Sequence, residues 1–286
     1  MSGDWPGRPP RAVEPRHRAR KRFGQHFLER TWVDKVIRAI APAHGDVFLE
    51  IGPGQGALTR PLLETARHVI AFEIDRDLAA ALRAEGHANL TVIEGDFLDA
   101  SLGQLLAALR DAGAEGAPVR VAGNLRYNVA SPILFKCVEL FEAGLPIRDA
   151  AVMLQREVAD RILASPGTSE YGVLAVTLRH VAVVTRLLSL PPGAFRPAPE
   201  VHSAVIRLAL HPPAPMPRDV AALRALVRAV FTRRRKTLTN ALNAFSLPPG
   251  LTAADLVTRA GIDGRRRPET LDIAEFVRLS DSVFPE

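Results

Sequence analysis

Val47-Phe48-Leu49-Glu50-Ile51-Gly52-Pro53-Gly54-Gln55-Gly56 decides how the rest of this chain is read. An apolar run of strand length ends in a turn carrying three glycines, and the helical stretch Leu58–Glu64 follows directly. Without a Cβ, glycine adopts left-handed backbone and lets a ligand come close, while the helix behind the turn offers unpaired N–H groups and the positive end of its dipole. Strand, glycine turn and helix therefore suit the polar end of a cofactor, a methionine carboxylate or a phosphate. A plain tight turn also needs glycine, so the meaning of the loop depends on what the neighbouring strands carry.

Outward from the loop, apolar runs at Val69–Ile74, Leu90–Glu94, Val119–Ala122 and Ala150–Leu154 read as strands. They alternate with helical spacing at Leu78–Glu85 and Leu102–Leu109, and with a helix expected to be capped at Ser131-Pro132 and to run to about Glu142. Such alternation is the βαβ pattern of a parallel sheet with helices on both faces. Upstream, Thr31 is the expected N-cap of a helix that carries Val33, Val36, Ile37 and Ile40 and stops at Pro42. Downstream, Val183–Leu190 and Val201–Leu210 are expected to close one edge of the sheet as an antiparallel pair.

The segment from His211 to Pro217 is proline-rich and reads as a stiff linker. Beyond it, Asp219–Phe231, Thr237–Phe245, Ala253–Ala260 and Ile273–Ser282 have helical spacing, with Thr252 and Asp272 as caps and Gly261 as a stop. Three parts are thus expected: a disordered basic tail over 1–19, an α/β domain over 20–211, and a small all-helical domain over 212–286. A length of 286 residues accommodates one large and one small domain.

Glu73 ends the second strand, where a carboxylate accepts hydrogen bonds from ribose hydroxyls. Asp96 ends the third, where it accepts from an adenine amine. With Ile74 and Phe97 beside them, these acids outline an adenosine pocket. A nicotinamide dinucleotide fold would have G-x-G-x-x-G, whereas Gly56 comes one place early and Glu50 precedes the first glycine. The expected cofactor is S-adenosylmethionine, held by Glu50, Gly52, Gly54, Gly56, Glu73, Ile74, Asp96, Phe97 and Asn124 in an α/β, Rossmann-like methyltransferase sheet.

After the fourth strand comes Asn124-Leu125-Arg126-Tyr127. The lone pair of an exocyclic adenine amine is delocalised into its ring, so an enzyme has to hold that nitrogen tetrahedral to make it nucleophilic. The Asn124 side-chain oxygen and the Leu125 carbonyl suit the two amine hydrogens, and Tyr127 suits stacking on an extruded base. Alone, the same four residues also read as an Asn-initiated turn.

Taken in order, Arg22-Phe23-Gly24-Gln25-His26-Phe27-Leu28, Glu50–Gly56, Glu73, Gly95-Asp96, Asn124–Tyr127, Phe195-Arg196-Pro197-Ala198-Pro199 and Phe231-Thr232-Arg233-Arg234-Arg235-Lys236-Thr237-Leu238 resemble the bacterial dimethyladenosine transferases. Members of that family dimethylate two adjacent adenines near the 3′ end of small-subunit 16S ribosomal RNA. The resemblance runs from about Arg20 to the C-terminus. It implies that Gln25, His26 and Leu28 touch the cofactor, that Asn124, Leu125 and Tyr127 hold the target adenine, and that Phe195 packs beside it. Three positions depart from the family pattern: Arg126 stands where proline is usual, His26 where asparagine is common, and His202 where aspartate is common. The related family that methylates 23S RNA shares the first domain, and a non-catalytic assembly factor of the same fold is the alternative from outside enzymes.

A formal charge of +6 favours polyanionic partners. Its cations cluster at Arg20, Lys21 and Arg22 and at Arg233, Arg234, Arg235 and Lys236, the expected RNA contacts, where four in a row cannot share one helix face. The small ribosomal subunit is the expected partner, and the protein is expected to be a cytoplasmic monomer with no membrane association. No apolar run approaches the ~20 residues of a membrane span. The single cysteine, Cys137, sits among apolar neighbours and reads as core, and no metal is expected.

Overall fold

The computed structural model describes residues 27–284, so the tail over 1–19 and the expected contacts Arg20, Lys21, Arg22, Gln25 and His26 lie outside the described residues. The chain enters through a short strand β1 (Phe27–Leu28) and a helix α1 (Arg30–Ile40). Helix α1 is capped by Glu29 rather than Thr31, with no side-chain bond at the cap. Tertiary pairing sets the entry instead, because the Glu29 N–H donates to the Ala194 carbonyl at 2.8 Å.

Strands and helices then alternate as β2 (Val47–Ile51), α2 (Thr59–Thr65), β3 (His68–Glu73), α3 (Arg76–Ala84), β4 (Leu90–Glu94), α4 (Leu102–Asp111), β5 (Val119–Asn124), α5 (Ala130–Glu142) and β6 (Ile147–Gln155). Strands β2 to β6 are mutually parallel where they pair. Asp75 caps α3 with its side chain and Ser101 caps α4. Helix α5 differs from expectation: its cap is Val129, without a side-chain bond, and Ser131 lies inside. Pro132 falls in the first turn, where its missing N–H has no partner to lose.

Two helices that the sequence reading did not anticipate follow, α6 (Arg156–Leu163) and α7 (Val173–Arg179), before β7 (Ala182–Leu190), β8 (Phe195–Arg196) and β9 (Ser203–Leu210). The seven-stranded sheet has the order β4-β3-β2-β5-β6-β9-β7, and β8 pairs separately with β1. Strand β9 runs antiparallel to both neighbours, so of the closing pair β7 lies at the edge and β9 is enclosed. The residues explain this: Ser203 to Ile206 are all buried, whereas β7 alternates exposed and covered positions as an edge strand does.

Strand β2 is buried on both faces. Val47, Leu49 and Ile51 enter one core with α4 and α5, while Phe48 enters another with α1 and α2. The last part of the chain forms α8 (Val220–Phe231), α9 (Leu238–Leu242), α10 (Ala253–Arg259) and α11 (Ile273–Asp281). Thr252 and Asp272 cap α10 and α11 with full capping boxes, and Gly261 is left-handed at φ +65°. These helices build a third core around Leu226, Val230, Leu238, Leu256 and Phe276, which also takes in Tyr171, Ala175 and Val176 from the segment between β6 and β7. The proline-rich segment after His211 is tacked down by the Ala214 N–H on the His180 carbonyl, 3.1 Å, and by the His180 ring on the Pro215 carbonyl, 2.7 Å.

Strand order decides where a ligand fits. The chain leaves β2 toward β3 on one side and leaves β5 toward β6 on the other, so a crevice opens above the carboxyl ends of these adjacent strands.

Candidate active site

The glycine loop leaves β2 at that crevice with Gly52, Gly54 and Gly56 at φ +67°, +59° and +77°, all left-handed. Its shape is held from three sides. The Gly52 N–H donates to the Phe72 carbonyl, and the Gly56 N–H to the Pro53 carbonyl, each at 2.9 Å. The Arg60 guanidinium donates to the Gln55 carbonyl at 2.7 Å while pairing with Glu85 at 2.6 Å.

Glu73, 2% exposed, closes the loop from β3. One of its oxygens accepts from the Gly54 N–H and the other from the Asp75 N–H, both at 2.9 Å. A carboxylate has about four lone-pair sites, so both oxygens retain capacity toward the crevice. Asp96 follows Gly95 after β4 and caps the turn Phe97–Asp99 by accepting from the Leu98 N–H at 3.0 Å. Phe97 is buried edge-on against Phe72, with ring centroids 5.5 Å apart.

Glu50 is electrostatically strained. It is 1% exposed, its Oε2 has no hydrogen-bond partner, and burial pushes its carboxyl up to about 7. The nearby Thr59 hydroxyl opposes that rise and the charge of Glu73 adds to it. An unsatisfied buried carboxylate oxygen on the wall of a cleft is a socket for a cation or donor on a ligand.

Across the crevice, the turn after β5 is fixed by the Leu125 N–H on the Met153 carbonyl, 2.9 Å, and by the Tyr127 hydroxyl against Ser203 Oγ, 2.9 Å. One cleft of about 1200 Å³, its open mouth included, is lined by Leu28, Glu50, Gly52, Gly54, Glu73, Ile74, Asp96, Phe97, Asn124, Leu125 and Tyr127 among others. Arg126 lines it too, half-buried. Two expected site residues are off this wall. Gly56 turns inward, where a Cβ would meet Leu82 and Arg60 at 3.0–3.1 Å, and Phe195 is buried to 1% in the core beneath the β1–β8 pair.

Among the cations, Arg233, Arg235 and Lys236 are exposed in the turn between α8 and α9. Arg234 is committed to the fold: it pairs with Glu269 at 3.0 Å and donates to the Ser169 carbonyl at 2.8 Å.

A family model described as ribosomal RNA adenine dimethylase matches residues 16–283. The chain belongs to this family. Dimethylase relatives named ribosomal RNA small subunit methyltransferase A include one from Acinetobacter baylyi, 44% identical over 95% of both chains. Another, from a Burkholderia species, is 45% identical over 93% of both. Among solved structures, a dimethyladenosine transferase from Plasmodium falciparum is similar at TM-score 0.71 and 25% identity, covering 89% of this chain and 96% of the other. The 23S rRNA methyltransferase ErmE is similar at TM-score 0.61 and 26% identity, covering 90% and 99%.

Enzymes of the dimethylase family draw the methyl group from S-adenosylmethionine, and the residues present fit it. Left-handed glycines leave room at the loop, Glu73 keeps free lone pairs, and the orphaned Glu50 oxygen awaits a donor. Two residues that hold the walls of this cleft from behind escaped the sequence reading. Gly123 brings β5 against the backbone of β2, and Ser203 carries the partner of Tyr127 from far down the chain. The glycine just before Asn124, in an otherwise apolar strand, was a readable signal for the first; nothing local announces the second.

Proposed function

We propose that this dimethylase transfers methyl groups to N6 of two adjacent adenines near the 3′ end of 16S ribosomal RNA, within the small ribosomal subunit. One observation carries the reading: the glycine loop, Glu73 and Asp96, and the Asn124–Tyr127 turn share a single cleft wall. A pocket shaped for adenosine thus faces a turn shaped for an extruded adenine.

When bound, S-adenosylmethionine supplies an electrophilic methyl on its sulfonium. Glu50 and the backbone of Gly52 and Gly54 take the methionine end, Glu73 the ribose hydroxyls, and Asp96 the adenine amine, with Ile74, Phe97 and Leu28 as apolar walls. Asn124 and the Leu125 carbonyl accept the two hydrogens of the target amine, freeing its lone pair toward the methyl. Tyr127 stacks on the target base. Positioning does most of the catalysis, because in-line displacement needs reacting atoms held about 3–3.5 Å apart, and the amine proton leaves to water afterwards. Phe195 supports this face from the core beneath it.

Residues 20–211 form the catalytic domain in this reading, and 212–286 the helical RNA-binding domain. Arg233, Arg235 and Lys236 meet phosphate, giving affinity without sequence reading, while the cleft selects the base. The enzyme works as a cytoplasmic monomer; no described helix is long and apolar enough to cross a membrane. Labelled S-adenosylmethionine offered separately with unmethylated small and large subunits tests the proposal. Label on two adjacent adenines of the small subunit is expected. Label on the large subunit alone, or on neither, would overturn it.

A further inference from the structure

We infer that Ser203 is a positioning residue for methyl transfer, its hydroxyl holding the Tyr127 ring in the orientation that meets the target adenine. The inference rests on the reading of Tyr127 as the base platform. The two hydroxyl oxygens are 2.9 Å apart. Ser203 is 0% exposed. A hydroxyl in a fully buried position is costly unless partnered, and the strand around it is otherwise apolar, Ala204-Val205-Ile206. At a strand start with no other duty, alanine would serve as well.

The two partners differ in how firmly they are held. Ser203 opens β9, where it pairs with Gln155 of β6 on one side and with Leu190 of β7 on the other. Two ladders fix its backbone. Tyr127 lies in the half-buried turn between β5 and α5, outside any ladder. That turn is anchored at Leu125, whose N–H donates to Met153, a residue two positions before Gln155 on β6. Strand β6 therefore grips one end of the turn, and β9, its neighbour, grips the other through Ser203. With its far end pinned, the Tyr127 ring is ordered before a base arrives, so binding does not have to order it. Serine suits the task because its hydroxyl both donates and accepts, without bringing a charge to the cleft.

The test uses the full chain with unmethylated small subunits and compares Ser203→Ala, Tyr127→Phe, the double variant, Ser203→Thr and Tyr127→Ala. Each is measured for kcat, for S-adenosylmethionine affinity and by thermal melting. Ser203→Ala and Tyr127→Phe, which cut the same bond from opposite ends, should each lower kcat about tenfold with cofactor affinity unchanged. The double should fall no further than either single, and Ser203→Thr should keep most of the rate. Should Ser203→Ala fail to fold, Tyr127→Phe carries the comparison. Losses that multiply in the double, or a normal kcat in both singles beside an inactive Tyr127→Ala, would overturn the role of Ser203 alone. A normal rate in Tyr127→Ala would overturn the base platform and this inference with it.

Discussion

A Cβ on Gly123 would lie 2.6 Å from the carbonyl oxygen of Ile51. The obstacle is backbone, not a movable side chain, so β2 and β5 approach closely at the crevice only because residue 123 is glycine. Gly123→Ala should force these strands apart, destabilise the protein by about 1–3 kcal/mol and lower methyl transfer. Chemical denaturation measures the first effect, and an unchanged midpoint would contradict it.

Glu50 makes stability depend on pH in an unusual direction. Its carboxyl titrates near 7 in the folded protein against an ordinary 4.5, so folding favours the protonated form. Below 4.5 the group is protonated in both states and contributes nothing; above about 7 it is ionised in both and carries the full penalty, about 3 kcal/mol. Glu50→Gln should therefore raise the melting temperature at pH 8, with the gain fading between pH 7 and 4.5, while cofactor affinity falls. Equal gains at pH 5 and pH 8 would show that burial of this charge is not the cause.

Arg120 joins the lower end of the sheet to α1. Buried to 3% exposure, it pairs with Asp46 at 2.7 Å and Asp149 at 2.9 Å and donates to the Ile40 and Ala41 carbonyls that end α1. Arg120→Met leaves two buried acids short of their counter-charge, which ordinarily costs about 3–5 kcal/mol. Arg148 on Asp46 and Arg207 near Asp149 temper the loss toward the lower figure. Thermal and denaturant melts of the variant measure it.

The cations of the α8–α9 turn should separate by role. Reversing Arg233, Arg235 and Lys236 together should weaken small-subunit binding and flatten its salt dependence while leaving cofactor affinity intact. Arg234→Ala should instead lower the melting temperature, since its guanidinium ties Glu269 to the Ser169 carbonyl. Subunit binding as a function of salt distinguishes the two outcomes.

Arg126→Pro should leave methyl transfer unchanged or faster. Proline fixes φ in the turn that aims Asn124 and Tyr127, and the carbonyl of residue 126, which accepts from the Val129 N–H at 3.1 Å, survives the change. Loss of transfer by a folded variant would show that the arginine itself is needed.

The parts legible in sequence were those whose cause is local. The strand-turn-helix at Val47–Gly56 announces itself through glycine and hydrophobic period, and the caps at Thr252 and Asp272 through residue type. What stayed hidden depends on distant pairing. Glu29 caps α1 because Ala194 receives its N–H, β9 is enclosed because β7 lies beyond it, and Arg234 pairs with Glu269 from thirty-five positions away. Helices α6 and α7 were missed because each is short, and much of their apolar surface faces elements outside the segment. In the cleft, residue types at strand ends pointed to Glu73 and Asp96. The bond that closes Gly54 onto Glu73 spans nineteen positions and leaves no pattern to read.

The enclosed position of β9 also bears on how the enzyme is born. Translation delivers the glycine loop, both acids and the Asn124 turn within roughly the first half of the chain, but Ser203 and the strand that seals β6 emerge far later. Until then β6 offers a bare edge and the catalytic turn lacks one of its two moorings. The turn read as holding the target base therefore gains its second mooring only after most of the chain has been synthesised.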